Sequence, residues 1–337
     1  MKNYVVRRTR NRAIRLIALL PALVLLASCS ETAPSVFEPA GPPARAIAQL
    51  GWVFIILGTL VFLATMAYLA YAILRRRSQT ENRQGGTVIV IVAGMIIPAL
   101  ILLVLFVLNT NVLGQVSAPG AGEPGLVIEV SGRQWWWEVH YPEGQFYTAN
   151  EIHIPVGQPV RIKLTSEDVI HSFWVPELHG KMDLIPGRVN DFWIEADREG
   201  VFIGECAEYC GTQHAKMQFR VVAEPEEAFN AWAARMQQPA ALPQSGSAQR
   251  GLEVFLTSTC VQCHAIEGTD ATGELGPDLT HLASRLTIGA GTLPLNRANL
   301  GGWVSNPHGP KPGVKMPAAN LPSEDLNALL DFLLSLE

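Results

Sequence analysis

The chain has 337 residues, enough for more than one domain. Hydrophobic residues make up 48% and charged residues only 16%, which points to membrane content and argues against a disordered, highly charged polymer. The 25 Lys and Arg stand against 30 Asp and Glu, a net charge of −5, so there is no basic bias of the kind that nucleic acid attracts.

The first segment reads as a targeting signal, residues 1–28. Arg7, Arg8, Arg10, Arg12 and Arg15 form a basic front, and Leu16 to Ala27 is an apolar run too short to span a bilayer well. It ends Leu26-Ala27-Ser28-Cys29, which resembles a bacterial lipoprotein cleavage box with Cys29 as the lipidated N-terminus; ordinary cleavage is the alternative. Residues 29–48, rich in Pro, Ala and Glu, read as an extended lead-in. A transmembrane helical hairpin is expected over 49–110, with one span from Leu50 to Leu74 and a second from Val88 to Leu108. Arg75, Arg76 and Arg77 mark the cytoplasmic turn, and Pro98 inside the second span is tolerated in membrane helices. This topology places everything after residue 110 on the outer, periplasmic side of a bacterial inner membrane.

Residues 125–224 read as a β domain. Leu-Val-Ile-Glu-Val, Asn-Glu-Ile-His-Ile-Pro-Val, Val-Arg-Ile-Lys-Leu-Thr and Asp-Phe-Trp-Ile-Glu-Ala alternate like strands and suggest a sandwich or barrel. Gln134-Trp135-Trp136-Trp137 opens it; aromatic residues favour strands, the reading preferred for Trp136 and Trp137. Near its end lies Cys206-Ala-Glu-Tyr-Cys210-Gly-Thr-Gln-His214-Ala-Lys-Met217, two thiols, an imidazole and a thioether within twelve residues. Such a soft set suits copper. Taken alone, C-x3-C with a His also fits a zinc site or a disulfide. A second imidazole is available from His171 in Val-Ile-His-Ser-Phe-Trp.

With these residues the chain resembles subunit II of the cytochrome c oxidases, whose cupredoxin-like domain carries the binuclear copper centre called CuA. The resemblance implies that Cys206 and Cys210 bridge two coppers, that His171 and His214 give one imidazole each, and that Met217 and the Glu208 carbonyl are axial. It also implies that electrons enter at Trp135 and that the Glu208 side chain binds magnesium where subunit I docks. Lys181-Met-Asp183 with Ile185-Pro186-Gly187-Arg188 matches a stretch that faces subunit I in the family. The family carries an acid near the start of the second span, where this chain has apolar residues such as Ile91, so it offers no acid of its own for proton entry there. Met182, His140, His153 and His179 are read as structural.

Residues 236–247, free of charge and apolar period, read as a mobile linker after a short helix over Glu226 to Arg235. The last domain, 248–337, carries Cys260-Val-Gln-Cys263-His264, a c-type haem attachment sequence with His264 as the proximal iron ligand. Gly276-Pro277-Asp278-Leu279 follows at the distance usual in small cytochromes c, and Met316 is the only Met after the motif and the expected distal ligand. Met/His ligation raises the haem potential. His281 and His308 are the alternatives, and Asp325 to Leu334 is expected to pack on the domain's first helix. An all-α class I cytochrome c fold follows.

The five cysteines divide as one for lipid, two for copper and two for haem. Residues 125–224 hold 8 Lys or Arg against 15 Asp or Glu, and 248–337 hold 5 against 9, so the domains share a sign and steering between them is weak. The expected function is electron input to a haem–copper terminal oxidase of caa type: from an upstream cytochrome or quinol–cytochrome c reductase to haem c, then copper, then subunit I. There, in a complex with subunit III, oxygen is reduced with proton pumping. A copper subunit of a nitric oxide reductase and a membrane-tethered electron carrier are the rival readings.

Overall fold

The computed structural model describes residues 34–75, 83–117 and 125–337. The signal segment, Cys29, Arg76 and Arg77 lie outside the described residues.

Two helices among the described residues are long and apolar enough to cross a membrane, Pro42–Leu74 and Gly86–Ser117. The first, α1, is Pro42–Leu74; its leading prolines sit where the helix has no use for their missing N–H. The second runs through α2 (Arg83–Ile91), a π turn (Val92–Ile96) and α3 (Ile97–Ser117). The π turn has a cause in Pro98, whose ring lacks an N–H and crowds the carbonyl of Gly94 four residues back. Widening that turn shifts the bonding, so that Ile97 N–H donates to Val92. Side chains such as Leu74, Leu102 and Phe106 are exposed, as lipid or a partner helix requires.

The lead-in differs from the extended expectation. It is helical from Pro42, and its preceding residues lie on the β domain: Ala40 N–H donates to Glu177 O at 2.7 Å, and Asp197 N–H donates to Ala40 O at 2.7 Å. A Cβ on Gly41 would stand 2.3 Å from the Glu195 carbonyl, so only glycine permits this approach. Proline-rich sequence without periodicity reads as coil; the tertiary contact is what organises it.

The β domain is a sandwich. Its strands are β1 Leu126–Arg133, β2 Trp136–Tyr141, β3 Phe146–Ala149, β4 Glu151–Pro155, β5 Val160–Ser166, β6 His171–Trp174, β7 Met182–Leu184, β8 Asn190–Ile194, β9 Gly200–Cys206 and β10 Gln218–Glu224. One sheet has the order β3-β2-β1-β5-β8 and the other β4-β10-β9-β6-β7. β1 with β5 and β4 with β10 are parallel pairs. Alternation buries one face of strands such as β10, where Phe219, Val221 and Ala223 point inward, whereas β4 is buried along its whole length. Trp137 is wholly buried and packs edge-on to Phe173 and Phe219. Trp136, one residue earlier, faces outward under the Arg133 guanidinium.

Helix α4 (Glu226–Met236) closes the sandwich with Trp232, stacked on His153 at 4.0 Å. The cytochrome domain contains α5 Gly246–Thr257, α6 Arg297–Ser305 and α7 Ser323–Leu333. As expected, the last helix packs on the first. A Cβ at Gly251 would lie 2.0 Å from Ala328 O, so these helices cross with their backbones in contact. The stretch between α4 and α5 makes contacts with the cytochrome domain. Met236 and Ala240 are buried, Ala240 N–H donates to Glu267 O, and Gln238 O accepts from His281.

Candidate metal centres

The first centre forms where β6, the end of β9 and the loop before β10 meet. His171 opens β6, and Cys206 ends β9 opposite Phe173. Between Cys206 and Gln218 the chain turns through a 3-10 turn at His214–Lys216 and closes with Cys206 N–H donating to Met217 O at 3.0 Å. All the ligand candidates converge. The two Sγ atoms are 3.7 Å apart; Cys206 Sγ lies 3.9 Å from His171 Nδ1 and 3.2 Å from Glu208 O. Cys210 Sγ lies 3.8 Å from His214 Nδ1 and 3.8 Å from Met217 Sδ. His171, Cys206, Cys210 and Met217 are buried.

These separations suit a metal between the atoms. Two thiolates each about 2.3 Å from a shared metal at tetrahedral angles lie roughly 3.8 Å apart, whereas a disulfide would bring them to about 2.05 Å. Both cysteines are free thiols. The pair's acidity is split: the Cys210 thiol beside it pulls Cys206 down to about 3, against burial and with help from His171, and the thiolate so formed pushes Cys210 up. Two anions this close repel, and a cation between them removes the penalty. Thiolate, imidazole and thioether form the soft donor set that copper takes.

The surroundings orient the ligands. Asp168 Oδ1 is 2.8 Å from His171 Nε2, so the ring holds its proton there and turns Nδ1 to the sulfurs. Burial would raise the Asp168 pKa, but His171 and the N–H groups of Val169 and Gln134 hold it low. Gln134 Nε2 and Trp135 Nε1 both donate to Cys210 O, at 2.8 and 3.0 Å. Asp168 and Gln134 were missed at sequence level; the Asp-x-x-His spacing to His171 was the available signal. The Glu208 carboxylate meets Lys181 Nζ at 3.5 Å, and Lys181 also reaches Asp183 at 3.7 Å.

The second centre lies in the cytochrome domain. Ser258 caps the turn Thr259–Gln262 that presents Cys260, and Cys263 follows. His264 Nδ1 donates to Pro277 O at 2.7 Å, leaving Nε2 for a metal. Burial lowers the His264 pKa, which favours the neutral, ligating ring. Gly276 makes room: a Cβ there would sit 2.6 Å from the His264 ring. Both nitrogens of His281 are engaged, by Glu337 O at 2.7 Å and Gln238 O at 2.9 Å, which removes it as a rival to Met316. Met316 is half-buried on a separate loop.

Comparison with known proteins decides the family. The profile described as "Cytochrome C oxidase subunit II, periplasmic domain" matches residues 144–224, and "Cytochrome c" matches 248–337. Cytochrome c oxidase subunit 2 of Alkalihalophilus pseudofirmus is 34% identical over 96% of this chain and 97% of its own. The chain belongs to the cytochrome c oxidase subunit II family. The Bacillus subtilis member is 32% identical over 97% of this chain and 98% of its own. A crystal structure of the periplasmic domain of subunit II of cytochrome oxidase from Bradyrhizobium japonicum is 32% identical, covering 34% of this chain and 96% of that one, with a TM-score of 0.34. This subunit II is thus part of an oxidoreductase complex, a two-helix membrane segment followed by a cupredoxin-like sandwich and a cytochrome c domain.

His153, His179 and His140 each have partners within the protein. His153 sits between Glu151 (3.2 Å) and Glu224 (2.8 Å). His179 faces Val116 O at 3.2 Å, and burial lowers its pKa. His140 meets Glu129 and stacks on Tyr147.

Proposed function

We propose that this chain takes electrons from a donor on the outer face of a bacterial inner membrane and delivers them to subunit I of a haem–copper oxidase. Haem c covalently held by Cys260 and Cys263 and a copper pair held by Cys206, Cys210, His171, His214, Met217 and Glu208 O would supply one-electron acceptance at two successive places. Oxygen reduction and proton pumping belong to subunit I. His264 and Met316 would ligate the haem iron.

The observation that carries this reading is the position of Trp135. Its indole donates to the carbonyl of Cys210, and Lys315, the neighbour of Met316, lies 5.7 Å over its ring. One aromatic side chain therefore spans from the copper loop to the loop of the expected haem ligand. The buried, rigid sandwich holds the copper ligands still, so little rearrangement accompanies a change of charge. For the Glu208 carboxylate to bind magnesium at the subunit I face, it would exchange its Lys181 partner for the metal. A quinol–cytochrome c reductase or a cytochrome upstream is the donor class, and subunits I and III are the partners.

The test is isolation of the whole complex with copper, haem and oxygen uptake measured together. Two coppers and one haem c per chain, with cytochrome-driven oxygen consumption, support the reading. Zinc in place of copper, or nitric oxide as the acceptor reduced instead of oxygen, rejects it.

A further inference from the structure

Lys311 is the most buried charged side chain among the described residues, 1% exposed, and no carboxylate pairs with it. Burying an ammonium without a counter-charge is strongly unfavourable unless its hydrogens find acceptors. Its Nζ donates to Trp135 O at 2.9 Å and to Gly289 O at 3.0 Å. One acceptor is in the cupredoxin domain and the other in the cytochrome domain. This nitrogen therefore joins the two domains at the backbone of the residue where electrons are read to enter the copper centre.

The neighbouring contacts are polar and short. Gln218 N–H donates to Ala290 O at 3.0 Å, Leu286 N–H donates to Glu151 Oε2 at 2.9 Å, and Lys216 Nζ donates to Pro310 O. Gly313 brings the loop to Thr212, where an added Cβ would stand 3.3 Å from Thr212 Cγ2. Lys311 differs from these in its burial and in having Trp135 itself as partner. Burial and Lys216 lower its pKa to about 7, Cys210 opposing. A neutral amine still carries two N–H groups for its two carbonyls, so the bridge holds in either protonation state.

We propose that Lys311 is a positioning residue: its amine ties the cytochrome domain to the main chain of Trp135 and so fixes the docked geometry for electron transfer within one chain. This rests on the functional reading above.

The test uses the intact oxidase complex carrying Lys311→Met, which keeps length and apolar volume but removes the donors. Flash photoreduction should show haem-to-copper transfer slowed at least tenfold. The haem and copper spectra, and the rate at which a small soluble reductant reduces the haem, should stay as in the wild type. Hydrogen exchange at Gln218 should quicken at least tenfold. Unchanged transfer and exchange overturn the proposal, as does an equal loss in every rate, which marks a merely structural role. Should the variant fail to assemble, amine-selective labelling of the wild-type complex decides: Lys311 protected while Lys315 is modified supports the bridge, and equal modification overturns it. Absence of copper from the wild type would instead refute the functional reading.

Discussion

Gly132 sits in β1 with its α-carbon against the ring of His171, so Gly132→Ala tests whether that ring is held in one place for a metal. An added Cβ would lie 2.7 Å from His171 Cδ2, 3.0 Å from Cγ and 3.2 Å from Leu184 Cδ2. Ordinary carbon contacts begin near 3.5 Å, so the overlap is about 0.8 Å. The ring has little room to yield, being fully buried, bonded to Asp168 at 2.8 Å and flanked by Trp137. Overpacking of this kind costs about 1–3 kcal/mol. Tilting the imidazole also moves Nδ1 relative to Cys206 Sγ, and disturbed ligand support weakens metal binding by roughly 10–100-fold. Copper per chain, the paramagnetic resonance of the oxidised complex and the melting temperature are the measurements. Gly302→Ala, where an added Cβ meets nothing within 4 Å, is the control and should change none of them. Full copper and an unaltered resonance in Gly132→Ala would refute the assignment of His171.

Cys206→Ser should abolish the paired-copper spectrum while leaving haem c absorbance intact; loss of both would mean a folding defect, and loss of neither would remove the bridging role. Asp168→Asn should weaken copper binding by roughly 10–100-fold without unfolding the sandwich, measured by competition with a chelator. Met316→Ala should lower the haem midpoint potential, and an unchanged potential would point to another sixth ligand. For His153, burial pushes the pKa down but Glu151 and Glu224 outweigh it, so the net shift is upward. Its contribution to stability is then complete below the unfolded value near 6.5 and fades as pH rises through the folded value. The melting-temperature gap between wild type and His153→Leu should therefore narrow from pH 6 to pH 9; a constant gap would contradict the coupling.

Which side chains gather was legible because covalent spacing carries it: Cys206, Cys210, His214 and Met217 share one loop, and Cys260, Cys263 and His264 one turn. Strands β1, β4, β5 and β8 were legible too, and β9 and β10 went unnamed although each is seven residues long. β6 and β7 were not legible, being four and three residues long, too short for a period to show. Nor was the interface between the two metal domains. Lys311 is one unremarkable lysine between two prolines, and only folding places it on a tryptophan 176 residues away. Charge totals mislead there, because the contact is made by carbonyls and N–H groups whose dipoles no count of acids and bases records.

The anchoring of the second membrane helix has a mechanical corollary. Val116 O, in its last turn, is held by Trp193 Nε1 at 3.1 Å and His179 Nε2 at 3.2 Å. Leu178, the residue before His179, accepts from Ala44 at the start of the first helix. Both legs of the hairpin are thus bolted to one corner of the sandwich. The height of the copper loop above the lipid is set by this joint, as a lamp's is by its bracket, and a partner in the bilayer meets that loop at a constant reach.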